Sequence, residues 1–145
     1  MKRLLIFLLL PLIMYQIKGQ NFQINWQNCF GGSDYDEAFD IVENADGGYM
    51  VLGWTESIDG DISYNHGIDD VWLVKTDSNG NMLWEKTYGG SSWEGGHCLL
   101  KVNENAYYIL ADSKSSDGDV SYDPYPNSAD YWIIKIDSSG NIIWD

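Results

Sequence analysis

Two acidic loops carry the residue types best suited to chemistry. In the first loop, Asp59, Asp61, Ser63 and Asp70 stand at positions 1, 3, 5 and 12 of one stretch, a spacing similar to that of calcium-binding loops. Hard oxygen ligands of this kind in an acidic chain favour Ca²⁺ over other ions. The match is incomplete, because Tyr64 replaces the central glycine and position 12 is Asp rather than a bidentate Glu.

The second loop repeats part of this pattern. It keeps Asp117, Asp119 and Ser121, but two additional residues near Pro124 move Asp130 out of register. Asp side chains also stabilise turns by accepting hydrogen bonds from nearby backbone N–H groups. The sequence favours turn stabilisation for all seven positions and leaves calcium as the alternative.

Aromatic side chains are the second set of candidates, because flat rings can stack on sugars and pack against protein partners. The chain has seven Trp and ten Tyr. Trp residues that recur at equivalent positions along the chain are assigned to core packing. The aromatic residues left as candidates for ligand binding are Trp54, Trp93, Tyr64, Tyr122 and Tyr125.

The sequence predicts no catalytic residues. His66 and His97 have no metal-ligand spacing, and the acidic residues near His66 (Asp69 and Asp70) are interpreted as part of a solvated loop rather than as acid–base groups. Arg3 is the only arginine, so the chain after its N-terminal segment has no guanidinium to clamp a carboxylate or phosphate. We therefore expect a protein that is not an enzyme and has no cofactor, with calcium as the one alternative.

An internal repeat of about 58 to 60 residues organises these loops. Residues 31–88 form repeat 1 and residues 89–145 form repeat 2, which is shortened in its last strand. Several motifs recur in the same order: Gly-Gly-Ser, Asp-Gly-Asp, Asp-x-Trp-x-x-Lys and Asp-Ser-x-Gly-Asn-x-x-Trp. A partial copy precedes them, since Trp26 lies 58 residues before Trp84.

Each repeat predicts four short strands and no amphipathic helix. In repeat 1 the strands are expected near 40–44, 49–55, 70–76 and 81–88. In repeat 2 they are expected near 97–102, 106–113, 131–137 and 141–145. Asn79-Gly80 supplies a tight hairpin between the last two strands of repeat 1.

The strand pattern predicts an all-β fold of two four-stranded antiparallel blades of the propeller type, with residues 20–30 as an additional N-terminal outer strand. Two blades cannot close a ring of four to eight, so the interpretation is an incomplete propeller that needs further blades or other copies. The alternative is a sandwich-like pair of sheets that bury their faces against each other.

The motifs quoted above resemble the secreted propeller-type repeats of Gram-negative bacteria that are often exported by the type IX route. The resemblance covers residues 21–145 and implies a propeller fold and a secreted or cell-surface role. It implies no reaction, because no catalytic residues are shared across these repeats. No sorting domain follows Asp145, so the periplasm is the expected location if the chain ends there.

The N-terminal residues also predict export from the cytoplasm. Lys2-Arg3, an apolar run from Leu4 to Met14, and Gly19 together are typical of a signal peptide over residues 1–19. After cleavage before Gln20 no membrane insertion is expected, and five basic residues face 22 acidic ones. Such an acidic surface repels nucleic acids. The expected function is a secreted, non-enzymatic module for binding a protein or other ligand, with calcium-assisted glycan binding, or a non-catalytic part of a larger secreted hydrolase, as alternatives.

Overall fold

The computed structural model describes residues 23–125 and 128–145. The predicted signal peptide, residues 20–22 and the Pro126-Asn127 pair lie outside the described residues. Within the described ranges, no helix is long and apolar enough to cross a membrane.

The described chain forms eight strands and no helix, which confirms the all-β prediction. The strands are β1 (Asp36–Glu43), β2 (Tyr49–Thr55), β3 (Asp70–Thr76), β4 (Met82–Tyr88), β5 (Glu94–Asn103), β6 (Ala106–Ser113), β7 (Asp130–Asp137) and β8 (Ile142–Trp144). They form two four-stranded antiparallel sheets in chain order: sheet 1 contains β1–β4 and sheet 2 contains β5–β8.

Two strands begin earlier than their sequence pattern predicts. The expected starts near residues 40 and 97 are Asp36 and Glu94 in the structure. Each strand contains a bulge in its first half, between Ala38 and Asp40 in β1 and between Gly96 and Cys98 in β5. A bulge shifts the alternation of inward and outward side chains by one residue. The alternation that indicates a strand is therefore interrupted in the first half of β1 and of β5.

The two sheets pack face against face around one core. Sheet 1 contributes Met50, Leu52, Val71 and Leu73 from the side that we call the back face. Sheet 2 contributes the opposite side, which we call the front face and which carries the buried residues Tyr107, Ile109, Trp132, Ile134 and Ile136. Contact is close at Gly96, where an added Cβ would lie about 3.0 Å from Val71 and 3.1 Å from Leu52.

The packing joins two different faces of the same repeat. The repeat-2 equivalents of the sheet 1 back face are Tyr108, Leu110, Tyr131 and Ile133, and none of these four is buried. The repeat-1 equivalents of the sheet 2 front face include Val51, Trp72 and Val74, which point away from sheet 2. The contact is therefore head-to-tail, with back face on front face, and leaves one face of each kind unmatched.

Residues 23–30 form no strand, in contrast to the expected outer strand over residues 20–30. A strand here would need an unpaired third strand of a repeat as its neighbour. β3 already pairs with β4 along its length, and β7 lies in the other sheet, beyond the core. Instead Trp26, Asn28 and Phe30 line the front face of sheet 1, where the Asn28 side-chain amide donates to the Gly80 carbonyl oxygen at 2.5 Å.

Candidate functional site

The carboxylates of the two acidic loops accept hydrogen bonds from backbone N–H groups. In repeat 1, Asp59 Oδ1 accepts from the Ser33 N–H at 2.8 Å and Asp61 Oδ2 accepts from the Gly31 N–H at 3.0 Å. In repeat 2, Asp117 Oδ1 and Asp119 Oδ2 make the equivalent bonds to the N–H groups of Ser91 and Gly89, at 2.8 Å and 3.3 Å. Each Asp-Gly-Asp loop thus anchors the Gly-Gly-Ser segment that leads into the first strand of its repeat.

The glycine between the two aspartates is required by this arrangement. Gly60 has φ +69°, and Gly118 has φ +66°, both in the left-handed region where glycine is least strained. A Cβ at Gly60 would also lie about 2.4 Å from the Gly31 carbonyl oxygen. The Asp61 N–H can therefore donate to that same oxygen at 3.1 Å. Asp61 and Gly31 thus form two hydrogen bonds, because the Asp61 carboxylate also accepts from the Gly31 N–H.

The predicted calcium ligands do not gather at one point. Ser63 donates its N–H to Glu85, Ser121 donates its N–H to Asp145, and Asp70 binds His66 rather than the Asp59 loop. Among residues 23–125 and 128–145, no three carboxylate, thiol or imidazole groups converge as metal ligands would. Calcium binding at these loops stays a prediction. The bonds of Asp59 and Asp61 differ from the local turn bonds that the sequence favours, because they reach N–H groups 26 and 30 residues away.

The interpretation of the His66 region as a solvated loop is wrong at Asp69, which is only 3% exposed, and at Asp70. The Asp70 carboxylate is fully buried and accepts from both the His66 N–H at 2.8 Å and the His66 Nδ1 at 2.6 Å. The second ring nitrogen, Nε2, lies 3.6 Å from Asp119 Oδ2 of the next repeat. Because both ring nitrogens face carboxylates of the protein, His66 connects the two repeats and is poorly placed to act on a substrate.

Burial at this junction changes the acidity of two carboxyl groups. Desolvation, reinforced by the neighbouring charges of Glu56, Glu94 and Asp70, raises the pKa of Asp69 to about 6. Desolvation also raises the pKa of Asp70, opposed by its hydrogen bonds with His66. Burial follows from the chain of repeat 2 crossing the loop, where the Glu94 N–H donates to the Asp69 carbonyl oxygen at 2.9 Å.

A polar cleft of about 430 Å³ lies at this junction between the repeats. Its wall includes three of the predicted site residues, Ser63, Tyr64 and Asp119, together with His66. The ring of Tyr64 stands edge-on to His66 at 4.7 Å between centroids and is 60% exposed. The cleft thus brings together two of the predicted metal residues, Ser63 and Asp119, and one of the predicted aromatic residues, Tyr64.

Three further cleft residues were not anticipated from the sequence: Glu85, Lys86 and Asn141. The Lys86 ammonium donates to the Asn141 side-chain oxygen at 2.8 Å, which links β4 of repeat 1 to the β7–β8 turn of repeat 2. Of these three residues, only Asn141 carries a sequence signal, because it precedes β8 as Asn81 precedes β4 at the equivalent turn of repeat 1. That signal does not reveal that the turn of one repeat faces the strand of the other.

The remaining predicted ligand residues lie apart from the cleft. Tyr122 and Tyr125 are exposed in the β6–β7 loop of repeat 2. Trp54 is half-buried in β2, and Trp93 is half-buried with the Lys114 ammonium 5.0 Å from its ring centroid. The structure therefore does not unite the five aromatic residues in one platform.

Cys29 and Cys98 are both free and exposed. Cys98 neighbours Asp40, and partial desolvation of the sulfur together with that carboxylate raises the pKa of its thiol. The chain is thus an all-β repeat protein of two four-stranded antiparallel sheets. Its sequence matches no protein-family model and no curated protein.

Proposed function

We propose that this protein is a secreted or surface-exposed, non-enzymatic repeat module that binds a protein or other ligand in the cleft between its two repeats. The proposal includes a propeller-type arrangement of the sheets. The observation that carries it is the cleft itself, where an exposed aromatic ring (Tyr64) stands beside charged and amide groups at a hydrogen-bonded junction. Binding sites commonly combine an aromatic surface with a few polar groups that fix orientation.

Two titratable groups that line the cleft are already held by other protein groups, which supports a binding role rather than a catalytic one. The ring nitrogens of His66 face Asp70 and Asp119, and the Lys86 ammonium is bonded to Asn141. These hydrogen bonds and ion pairs fix the positions of the His66 ring and the Lys86 ammonium, whose remaining exposed atoms can still contact a ligand. Carboxylate, amide and tyrosine groups suit a hydroxyl-rich or cationic partner.

The binding test uses the repeat itself as its control. Tyr64 lines the cleft, whereas its repeat-2 equivalent, Tyr122, is 80% exposed and lines no junction between described repeats. Arrays of glycans and of peptides would be probed with the wild type, Tyr64→Ala and Tyr122→Ala, each with and without Ca²⁺. We expect Tyr64→Ala to lower the affinity for the ligand class that the wild type binds by at least about tenfold, as for an interface tyrosine. Tyr122→Ala should keep the wild-type affinity.

An equal loss of affinity in both variants would show that the ligand binds the two polar loops and not the cleft. No binding to either array would contradict the binding role. Binding that appears only with Ca²⁺ would favour the calcium-assisted alternative.

Export is tested separately. The Lys2-Arg3 start, the apolar run and Gly19 predict that the exported chain begins at or near Gln20. Intact-mass measurement of protein recovered from outside the cytoplasm should give a mass that lacks residues 1–19. A mass that retains Met1 would contradict secretion by a cleaved signal peptide.

A further inference from the structure

The front face of sheet 1 is covered by the N-terminal segment in the same way that the front face of sheet 2 is covered by β4. Trp26 lies against Gly80, as Trp84 lies against the equivalent Gly140. Phe30 packs on Trp72 and Val74, as Tyr88 joins the core with Trp132 and Ile134. The segment therefore stands where the fourth strand of a preceding repeat would stand.

In the part of the chain that the structure describes, no further strands of such a repeat lie on the front face of sheet 1. On sheet 2, the corresponding space is filled by Met50, Leu52, Val71 and Leu73 from the back face of sheet 1. On sheet 1, the same space is an apolar groove of about 260 Å³. Ile41 lines the groove and is 56% exposed, whereas its repeat-2 equivalent Leu99 is buried in the core.

The back face of sheet 2 carries side chains of the type that would fill the groove. Tyr108, Leu110, Tyr131 and Ile133 are the equivalents of the four residues that fill the space on sheet 2, and all four remain at least partly exposed. Tyr131 is 92% exposed and Ile133 48% exposed, although Val71 and Leu73 at the same repeat positions are fully buried. An apolar face of this kind marks an interaction surface.

We propose that the back face of sheet 2 docks into the front-face groove of sheet 1 of a second copy of this chain. The docking repeats the back-on-front contact that already joins the two sheets within one chain. It is a heterologous contact, in which each copy offers one surface and receives the other, so it extends to a row or closes to a ring. The proposal concerns the two sheet faces and is independent of the ligand cleft.

The strand edges agree with the same docking. β3 pairs with β4 at Val71↔Tyr88 through Val74↔Glu85, whereas β7 pairs with β8 at Lys135 and Ile136. By repeat equivalence, Tyr131–Ile134 of one copy would lie beside Gln27–Phe30 of the next. Gln27–Phe30 forms no strand within its own chain, so the docking would give these backbone groups a partner by strand addition.

Three matched substitutions test the proposal on the mature chain. Ile41→Lys places a charge in the groove, and Ile133→Lys places one on the docking face. Ile58→Lys makes the same change at a 76% exposed loop position outside both faces. All three isoleucines are exposed, so each variant should melt close to the wild type, which thermal unfolding verifies.

Sedimentation velocity over a range of concentrations should show association of the wild type and of Ile58→Lys. Ile41→Lys and Ile133→Lys should each raise the dissociation constant about a hundredfold or more, because an unpaired charge would be buried in the contact. An equimolar mixture of these two variants should form a one-to-one complex, because each keeps the surface that the other has lost.

Three results would overturn the proposal: a wild type that is monomeric at all concentrations, association that neither substitution weakens, or failure of the mixture to associate when each variant alone is folded. Association that Ile133→Lys abolishes but Ile41→Lys leaves intact would show a symmetric back-to-back pairing instead.

Discussion

In both repeats the long loop between the second and third strands begins with Asp-Gly-Asp, and in both the two carboxylates anchor a Gly-Gly-Ser segment. The loops then differ. Asp70 of repeat 1 is fully buried beside His66, whereas Asp130 of repeat 2 is exposed and accepts from the Ser128 hydroxyl.

The difference comes from the neighbour and not from the loop. The repeat-1 loop lies against the start of repeat 2, where the Ile68 N–H donates to the Ser92 carbonyl oxygen at 2.8 Å. Gly67 fits only because it has no side chain, since a Cβ there would lie about 2.4 Å from the Gly90 carbonyl oxygen. Motifs within a repeat therefore determine its own hydrogen bonds. The adjacent repeat determines whether the carboxyl group at the position of Asp70 and Asp130 is buried, and so how acidic it is.

The largest expected effect compares equivalent core and surface positions. Leu73→Ala removes a fully buried side chain and should lower the free energy of unfolding by about 3 kcal/mol, from lost burial and the cavity left behind. Ile133→Ala at the equivalent, half-exposed position should cost less than about 1 kcal/mol. Urea unfolding of dilute protein measures both. Equal losses would show that the back face of sheet 2 is covered even in dilute solution.

The second prediction concerns pH. The pKa of Asp69 is about 6 in the folded protein against an ordinary value of 3.8, so folding favours the protonated carboxyl. Its contribution to stability is complete below about pH 4 and is lost as pH rises through about 6, a change of at most about 3 kcal/mol. Asp69→Asn should flatten that part of the stability profile.

Asp69→Ala is the matched control for this profile, because Ala129 stands at the equivalent position of repeat 2. It should remove the same pH dependence without introducing a new amide. Urea unfolding between pH 4 and pH 7 measures all three proteins. A slope that survives both substitutions would assign the pH dependence to another group, such as Asp70.

The smallest expected effect tests the likeness of the two acidic loops. Asp59→Ala and Asp117→Ala each remove one backbone hydrogen bond at a surface loop, to Ser33 and to Ser91. Each should lower Tm by only about 2–5 °C, and by similar amounts, because the bonds are equivalent.

Calcium would break this equality. If the repeat-1 loop binds Ca²⁺, the ion should raise the Tm of the wild type and of Asp117→Ala but not that of Asp59→Ala, because binding to the native state stabilises it. Melting curves with Ca²⁺ and with a chelator decide between the two interpretations. No effect of Ca²⁺ on any of the three proteins would leave the aspartates as anchors of the Gly-Gly-Ser segments only.

Sequence reasoning reached the strands and the local contacts but not the site. The tight hairpin at Asn79-Gly80, where Gly80 has φ +78°, depends on neighbours close in the chain. The carboxylates of Asp59 and Asp61 instead join segments 26 and 30 residues apart within one repeat. The bulges in β1 and β5 and the missing strand at residues 23–30 depend on which edges and faces are free, and the sequence pattern does not state that. The propeller-type arrangement and the secreted role stay predictions.

The all-β fold, the two repeats and the acidic loops can be derived from the sequence alone, because turn residues and strand propensity act over short distances and the repeat is visible as recurring motifs. Only the tertiary structure decided that Val71 is buried while Tyr131 is exposed at the same repeat position, and that Tyr64 meets Asp119 across a cleft. The physical reason is that burial and electrostatic environment belong to pairs of packed surfaces. Two nearly identical repeats present the same surfaces, and what each surface meets depends on the repeat beside it.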